Sequence, residues 1–175
     1  MSGYSHIRMP SDLTAIYTTA KVPVGTTWFS PEGAGYVFLK SAGADTMAAG
    51  DVASVYDSSG FVFGSCTVTD ATTPAFSDVT TSRVLVAGIA LAALTLDTWG
   101  WFWFWGYGTH AITTDGNVAA WNGLICADDA KVATPNTTAA TAHWMQFGLS
   151  LAADSSTTLS KAVLGGPGMF NWKAA

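Results

Sequence analysis

Charge is the first thing this chain lacks. Only 11% of its 175 residues are Asp, Glu, Lys or Arg, against about 25% in ordinary soluble domains. The basic residues Arg8, Lys21, Lys40, Arg83, Lys131, Lys161 and Lys173 stand singly. A nucleic-acid-binding surface needs them clustered, so no nucleic-acid partner is expected. Cysteine is almost absent: Cys66 and Cys126 are far apart in unrelated contexts, too few for a disulfide scaffold. They read as two buried thiols; a disulfide is the alternative, whose geometry sequence does not test. Long apolar runs are missing as well. The most hydrophobic stretch, Val84 to Leu96, is shorter than a membrane-spanning helix requires, and glycines interrupt the aromatic run after it. The N-terminus has no basic region followed by an apolar run, so neither a leader nor a membrane partner is expected.

What is present is apolar, aromatic and small. Hydrophobic residues make up 49% and aromatics 13%, with 18 Gly and 8 Trp. The length suits one domain with a real core. The first 35 residues differ from the rest. Pro10, Pro23 and Pro31 break any helix, while Ile16, Tyr17, Val22, Val24, Trp28 and Phe29 demand a packing partner. The expected organisation is an extended N-terminal arm over residues 1–35 and a β-rich body over 36–175.

Short β-rich runs recur along that body. Gly35 to Lys40 and Val52 to Tyr56 read as strands, and Asp57-Ser58-Ser59-Gly60 as a turn before Phe61 to Phe63 and Cys66 to Thr69. Asp70 to Ser82 reads as a surface loop. Arg83 to Leu96 favours strand through Val84, Val86 and Ile89, with a bulge or bend at Gly88. Thr114 to Asn117 is a tight turn, Val118 to Trp121 a further β segment, and Leu124 to Cys126 another apolar patch. Ala130 to Thr141 reads as loop, and His143 to Leu151 and Leu159 to Leu164 as late strands. No helix of about ten residues is indicated, so the expected fold class is all-β, a sandwich or small barrel.

The centrepiece is Thr98-Trp99-Gly100-Trp101-Phe102-Trp103-Phe104-Trp105-Gly106-Tyr107-Gly108. Period two puts Trp99, Trp101, Trp103, Trp105 and Tyr107 on one face and Phe102 and Phe104 on the other. Bulky rings on both faces call for cover on both. The expected role is therefore core plus subunit interface, with ring stacking on a sugar or small ligand as the competing reading. Candidate contact residues are Trp28 and Phe29 in the arm, with Trp99, Trp101, Trp103, Trp105 and Tyr107 on the strand.

Reactive chemistry is sparse. His6, His110 and His143 belong to no short ligand cluster, and His110 with Asp115 across a hairpin is a weak metal or acid–base pair. No nucleophile elbow or phosphate-cradling loop is present. Asp51, Asp57, Asp128 and Asp129 read as solvated turn charges, and Asn136-Thr137-Thr138 as a polar loop. The expectation is a non-enzyme with no catalytic residue, metal or cofactor.

Three stretches, Ala48 to Val55, Val86 to Ala90 and Trp99 to Gly108, resemble the capsid decoration, or head cement, proteins of tailed bacteriophages. Those proteins share an Ala-x-Gly-Asp-Val strand start, a Val-x-Gly-Ile-Ala strand and a Trp/Gly-containing strand. The resemblance spans about the middle half of the chain, and this chain is richer in Trp than the family pattern. It implies a small β-barrel or β-tulip-like body and a place on the outer capsid surface. It also implies the major capsid protein as partner and a homo-oligomer, often a trimer. Another phage head or tail component and a carbohydrate-binding β module are the alternatives.

Overall fold

The computed structural model describes residues 12–41, 46–55, 67–70, 85–114, 116–126, 133–135, 146–154 and 157–165. Among these the regular structure is all strand, in keeping with the all-β expectation. The strands are β1 (Thr27–Phe29), β2 (Gly35–Ser41), β3 (Val52–Val55), β4 (Thr67–Asp70), β5 (Leu85–Ala90) and β6 (Trp99–Gly108). They continue as β7 (Ile112–Thr113), β8 (Gly123–Cys126), β9 (Ala133–Pro135), β10 (Gly148–Ser150), β11 (Thr158–Leu159) and β12 (Ala162–Leu164). Ten strands form one sheet in the order β1-β2-β4-β3-β5-β6-β12-β10-β8-β9, while β7 and β11 pair separately. The large sheet is not closed end to end. Its ladders do contain a local circuit, because β6 also pairs with β2. The sheet as a whole is not closed into a barrel.

β6 is the hub. Trp103 and Phe102 face Tyr36 and Val37 of β2 on one side, and Ile89 and Ala90 of β5 on the other. Further on, Gly106, Tyr107 and Gly108 pair with Leu164, Val163 and Ala162 of β12. The change of partner falls at Gly106, whose φ is +77°. A Cβ there would sit 2.2 Å from the Gly33 carbonyl oxygen, so the backbone approaches as only glycine allows. Gly88 in β5 (φ +151°) carries the expected irregularity: the β3–β5 register shifts beside it, and a Cβ would meet the Trp103 carbonyl oxygen at 2.6 Å.

Both faces of the hub are covered, as the period-two argument requires. One core holds Tyr36, Phe38, Trp101, Trp103, Ile89, Ile112, Leu124, Phe147, Leu159 and Leu164, among others. The other holds Leu39, Met47, Ala53, Ala90, Leu94 and Phe102. Alternation along β2 divides Tyr36 and Phe38 from Leu39 in the same way.

The described part of the arm packs on its own body. Tyr17 and Trp99 exchange backbone hydrogen bonds of 2.9 and 2.8 Å, and β1 lies antiparallel on β2. Leu13, Tyr17, Val22 and Trp28 join the first core, and Val24 the second. The hairpin turn is Ser30-Pro31-Glu32-Gly33, closed by Gly33 N–H to Ser30 C=O at 2.9 Å. Ser first, Pro second and Gly fourth is the residue pattern of a type I turn.

Some expectations need correction. Val118 to Trp121 is not a strand: Val118 makes one isolated bridge to Asp154, and a turn follows. The Arg83–Leu96 run stops as strand at Ala90, because Leu94 bridges to Met47 and turns into the second core. Leu159–Leu164 divides into β11 and β12, since Leu159 pairs with Ile112 while Ala162–Leu164 joins β6 and β10. Ala133–Pro135, expected as loop, pairs with β8. The Asp57–Gly60 turn, Phe61–Phe63, the Asp128–Asp129 pair, the Asn136 run, Cys66, His6 and His143 lie outside the described residues.

Candidate contact surface

The expected aromatic row is broken by a bulge. Trp103 faces Tyr36 but Trp105 faces Gly35, leaving Phe104 as the extra residue on β6. Strict alternation would put Trp103 and Gly108 on opposite faces. Instead a Cβ on Gly108 would meet the Trp103 ring at 2.6 Å, so the two point the same way. Tyr107 then turns outward, opposite Val163. The five rings of the odd positions therefore do not share one face.

The seven candidate contact residues divide by burial. Trp101 and Trp103 are 4% and 0% exposed. Trp101 packs on Phe38 with ring centroids 5.3 Å apart, and the Trp103 indole N–H donates to the Trp105 carbonyl at 2.9 Å. Both belong to the core of the single chain and offer no ring to a partner or a sugar. Trp28 is half-buried, stacked on Tyr36 at 5.5 Å. Trp99 is half-buried beneath Lys40, whose ammonium lies 5.2 Å from the ring centre and also pairs with Asp97. Trp105 is half-buried over Gly35.

Phe29 (53% exposed) and Tyr107 (46%) reach solvent. Phe29 meets Phe104 edge-on at 5.9 Å and lies over Gly35, where a Cβ would strike its ring at 2.7 Å. The absent side chain of Gly35 is what lets this ring lie flat on the strand. Phe29 and Phe104 thus make an aromatic pair at the margin of β6, with half-buried Trp105 and exposed Tyr107 further along the same strand. Phe104 was not among the expected contacts; the Phe29 pairing depends on the bulge, which has no local sequence signal. Trp121, 71% exposed, was also missed.

His110 lies against the first core, on Tyr36 and Trp103. Its Nε2 is 2.9 Å from the Tyr36 hydroxyl, and its ring packs on Tyr36 and Trp103 at 5.6 and 5.5 Å. Burial holds its pKa below the ordinary 6.5, while burial and then the Glu32 charge raise that of Tyr36. Among the described residues no group of three or more His, Cys, Asp or Glu is placed to hold a metal ion. Asp115, the weak partner suggested for His110, lies outside the described residues.

The pKa direction gives a stability prediction. Native His110 binds its proton less readily than the unfolded chain does. Stability from this burial is full above about pH 6.5 and is lost as pH falls through the depressed native value. Thermal melts from pH 7.5 to 5 should show Tm falling more steeply for the natural chain than for His110→Gln. Parallel curves would contradict the assignment.

No protein-family model matches the chain, and no curated protein matches it. Among solved structures, the head fiber gp8.5 N base of bacteriophage phi29 aligns with it at a TM-score of 0.45 and 10% identity. The alignment covers 75% of this chain and 97% of that one. Likeness at that level assigns neither ancestry nor function.

Proposed function

We propose that this protein is a non-enzymatic structural component of a bacteriophage virion. In this reading it binds the outer capsid surface as a homo-oligomer and stabilises contacts between major capsid subunits. The observation that carries the reading is that Phe29, paired with Phe104, and Tyr107 reach solvent while Trp101 and Trp103 are buried in the core. Aromatic side chains outside a finished core suit a protein contact. The sparse charge suits a contact whose strength changes little with salt.

A second observation agrees. The three stretches behind the decoration-protein resemblance lie side by side. Gly50 N–H donates to the Ala90 carbonyl at 2.8 Å, Ala90 N–H donates to the Asp51 carbonyl at 2.9 Å, and Ala90 pairs with Phe102. A sugar stacked on Trp101 or Trp103 finds no support, because both rings are covered.

The test is co-sedimentation with purified phage heads that lack the protein. The natural chain should saturate the heads at a fixed copy number. Phe29→Ser with Tyr107→Ser should weaken binding at least roughly tenfold, as loss of aromatic anchors does. Its stability should stay within about 1 kcal/mol, since neither ring is core. Failure of the natural chain to bind any head would remove the proposal.

A further inference from the structure

The chain contains one Asn-Gly pair, Asn122-Gly123. Such a pair carries a reaction of its own. No side chain shields a glycine amide nitrogen, so it can attack the side-chain carbonyl carbon of the preceding Asn. The N–Cγ bond forms, the side-chain nitrogen leaves as ammonia, and a five-membered succinimide closes. Water then opens the ring at either carbonyl, giving aspartate or isoaspartate. The reaction needs water and no oxidant, metal or second protein.

The fold keeps this pair within reach of water. Asn122 and Gly123 are half-buried, next to Trp121, which is 71% exposed. Packing also requires the glycine. A Cβ at Gly123 would lie 2.4 Å from the side-chain amide of Gln146, which is 4% exposed and donates to the Gly148 carbonyl at 3.3 Å. Asn117 makes the contrast. It is more exposed, but β-branched Val118 follows it and crowds the attacking nitrogen.

The same fold restrains the reaction. Asn122 ends a turn closed by its N–H to the Ala119 carbonyl at 3.3 Å, with Trp121 in the third position at a φ of +69°. Ser150, fully buried on β10, clamps that turn. Its carbonyl accepts from Trp121 N–H and its N–H donates to the Asn122 carbonyl, both at 2.9 Å. Its hydroxyl donates to the Ala119 carbonyl at 2.6 Å and accepts from Asn122 N–H at 3.0 Å. Ring closure has to swing the Gly123 nitrogen toward the Asn122 side chain. That turns the Asn122 carbonyl, which lies in the same peptide plane and is held by Ser150. Local opening of the clamp therefore precedes the chemistry.

We infer that Asn122-Gly123 is a self-modification site, converting to aspartate and isoaspartate at a pace set by release of the Ser150 clamp. The new carboxylate stands at the start of β8. Isoaspartate also adds a methylene to the backbone, which moves Gly123 out of register with Leu149. This inference stands apart from head binding.

Peptide mapping by mass spectrometry tests it on the full folded chain, held at mildly basic pH and body temperature. The Asn122 peptide should gain the mass of an amide-to-acid exchange and divide into two products, while Asn117 stays unchanged. Ser150→Ala should convert roughly tenfold faster, because losing a buried hydrogen-bond partner makes opening commoner. The natural chain, in enough urea to match that variant's Tm, should convert more slowly than the variant. In the natural chain alone, conversion should follow hydrogen exchange of the Asn122 amide as urea is added, which keeps the test open if Ser150→Ala does not fold. An Asn122 that stays intact, Ser150→Ala at the natural rate, or conversion that ignores the amide's exchange would overturn the inference. So would a urea-matched natural chain as fast as the variant, which would assign the pace to general unfolding.

Discussion

Trp103→Ala should lower the unfolding free energy by about 3–5 kcal/mol, read from the midpoint of urea denaturation. The indole is wholly buried, and it is held from several sides. It packs on His110, covers Gly108, and donates to the Trp105 carbonyl at 2.9 Å. Truncation leaves a cavity where the β2–β5–β6 region meets the β12 ladder, and removes the hydrogen bond that braces the bulge. Against a total stability of about 5–15 kcal/mol for an ordinary domain, this is a large fraction. A loss below about 1 kcal/mol would mean that the ring is not in the core.

Gly106→Ala should be nearly as damaging, for a backbone reason. A φ of +77° alone strains a side-chain-bearing residue by about 1–3 kcal/mol. The added methyl would also lie 2.2 Å from the Gly33 carbonyl oxygen, well inside contact distance. Nothing there is a flexible side-chain end that can swing aside. Either β6 straightens and loses its β12 pairing, or the β1–β2 turn lifts away. Limited proteolysis should then cut near Ser30–Gly33 faster than in the natural chain, with a drop in Tm of several degrees. An unchanged Tm and cleavage rate would contradict the close approach.

Period two carries the sequence reading a long way and then fails at a definite place. It identified β6 as a strand and required cover on both of its faces, and two cores supply it. Gly88 was legible as an irregularity because a lone glycine in a β-branched run has few other uses. The alternation was carried past Phe104, however, where the bulge and Gly106 change the face. A bulge is set by the neighbouring strand's register, here Gly35 opposite Trp105, and β6's own residues do not encode that partner. Trp101 and Trp103 precede the bulge and supply the core half of the expected core-plus-interface role, while Phe104, the bulged residue, joins Phe29 at the surface.

Trp121 was hidden for a related reason. Its turn is imposed by Ser150, which is 29 residues later in the chain. A run of Val-Ala-Ala-Trp has ordinary strand character, and nothing local marks the third turn position as left-handed. The arm was half legible. Its prolines excluded helix and its apolar residues required a partner, but only the fold shows that residues 12–35 use their own body.

In the proposed function this chain is an outer-surface component of a phage head, bound through aromatic groups left outside its own core. Reconstruction of the native head at side-chain resolution tests it most directly. The account predicts density for this β body outside the shell, with Phe29 and Tyr107 facing the major capsid protein or a neighbouring copy. A head whose density for this chain lies inside the shell, or shows those rings facing solvent, would contradict it.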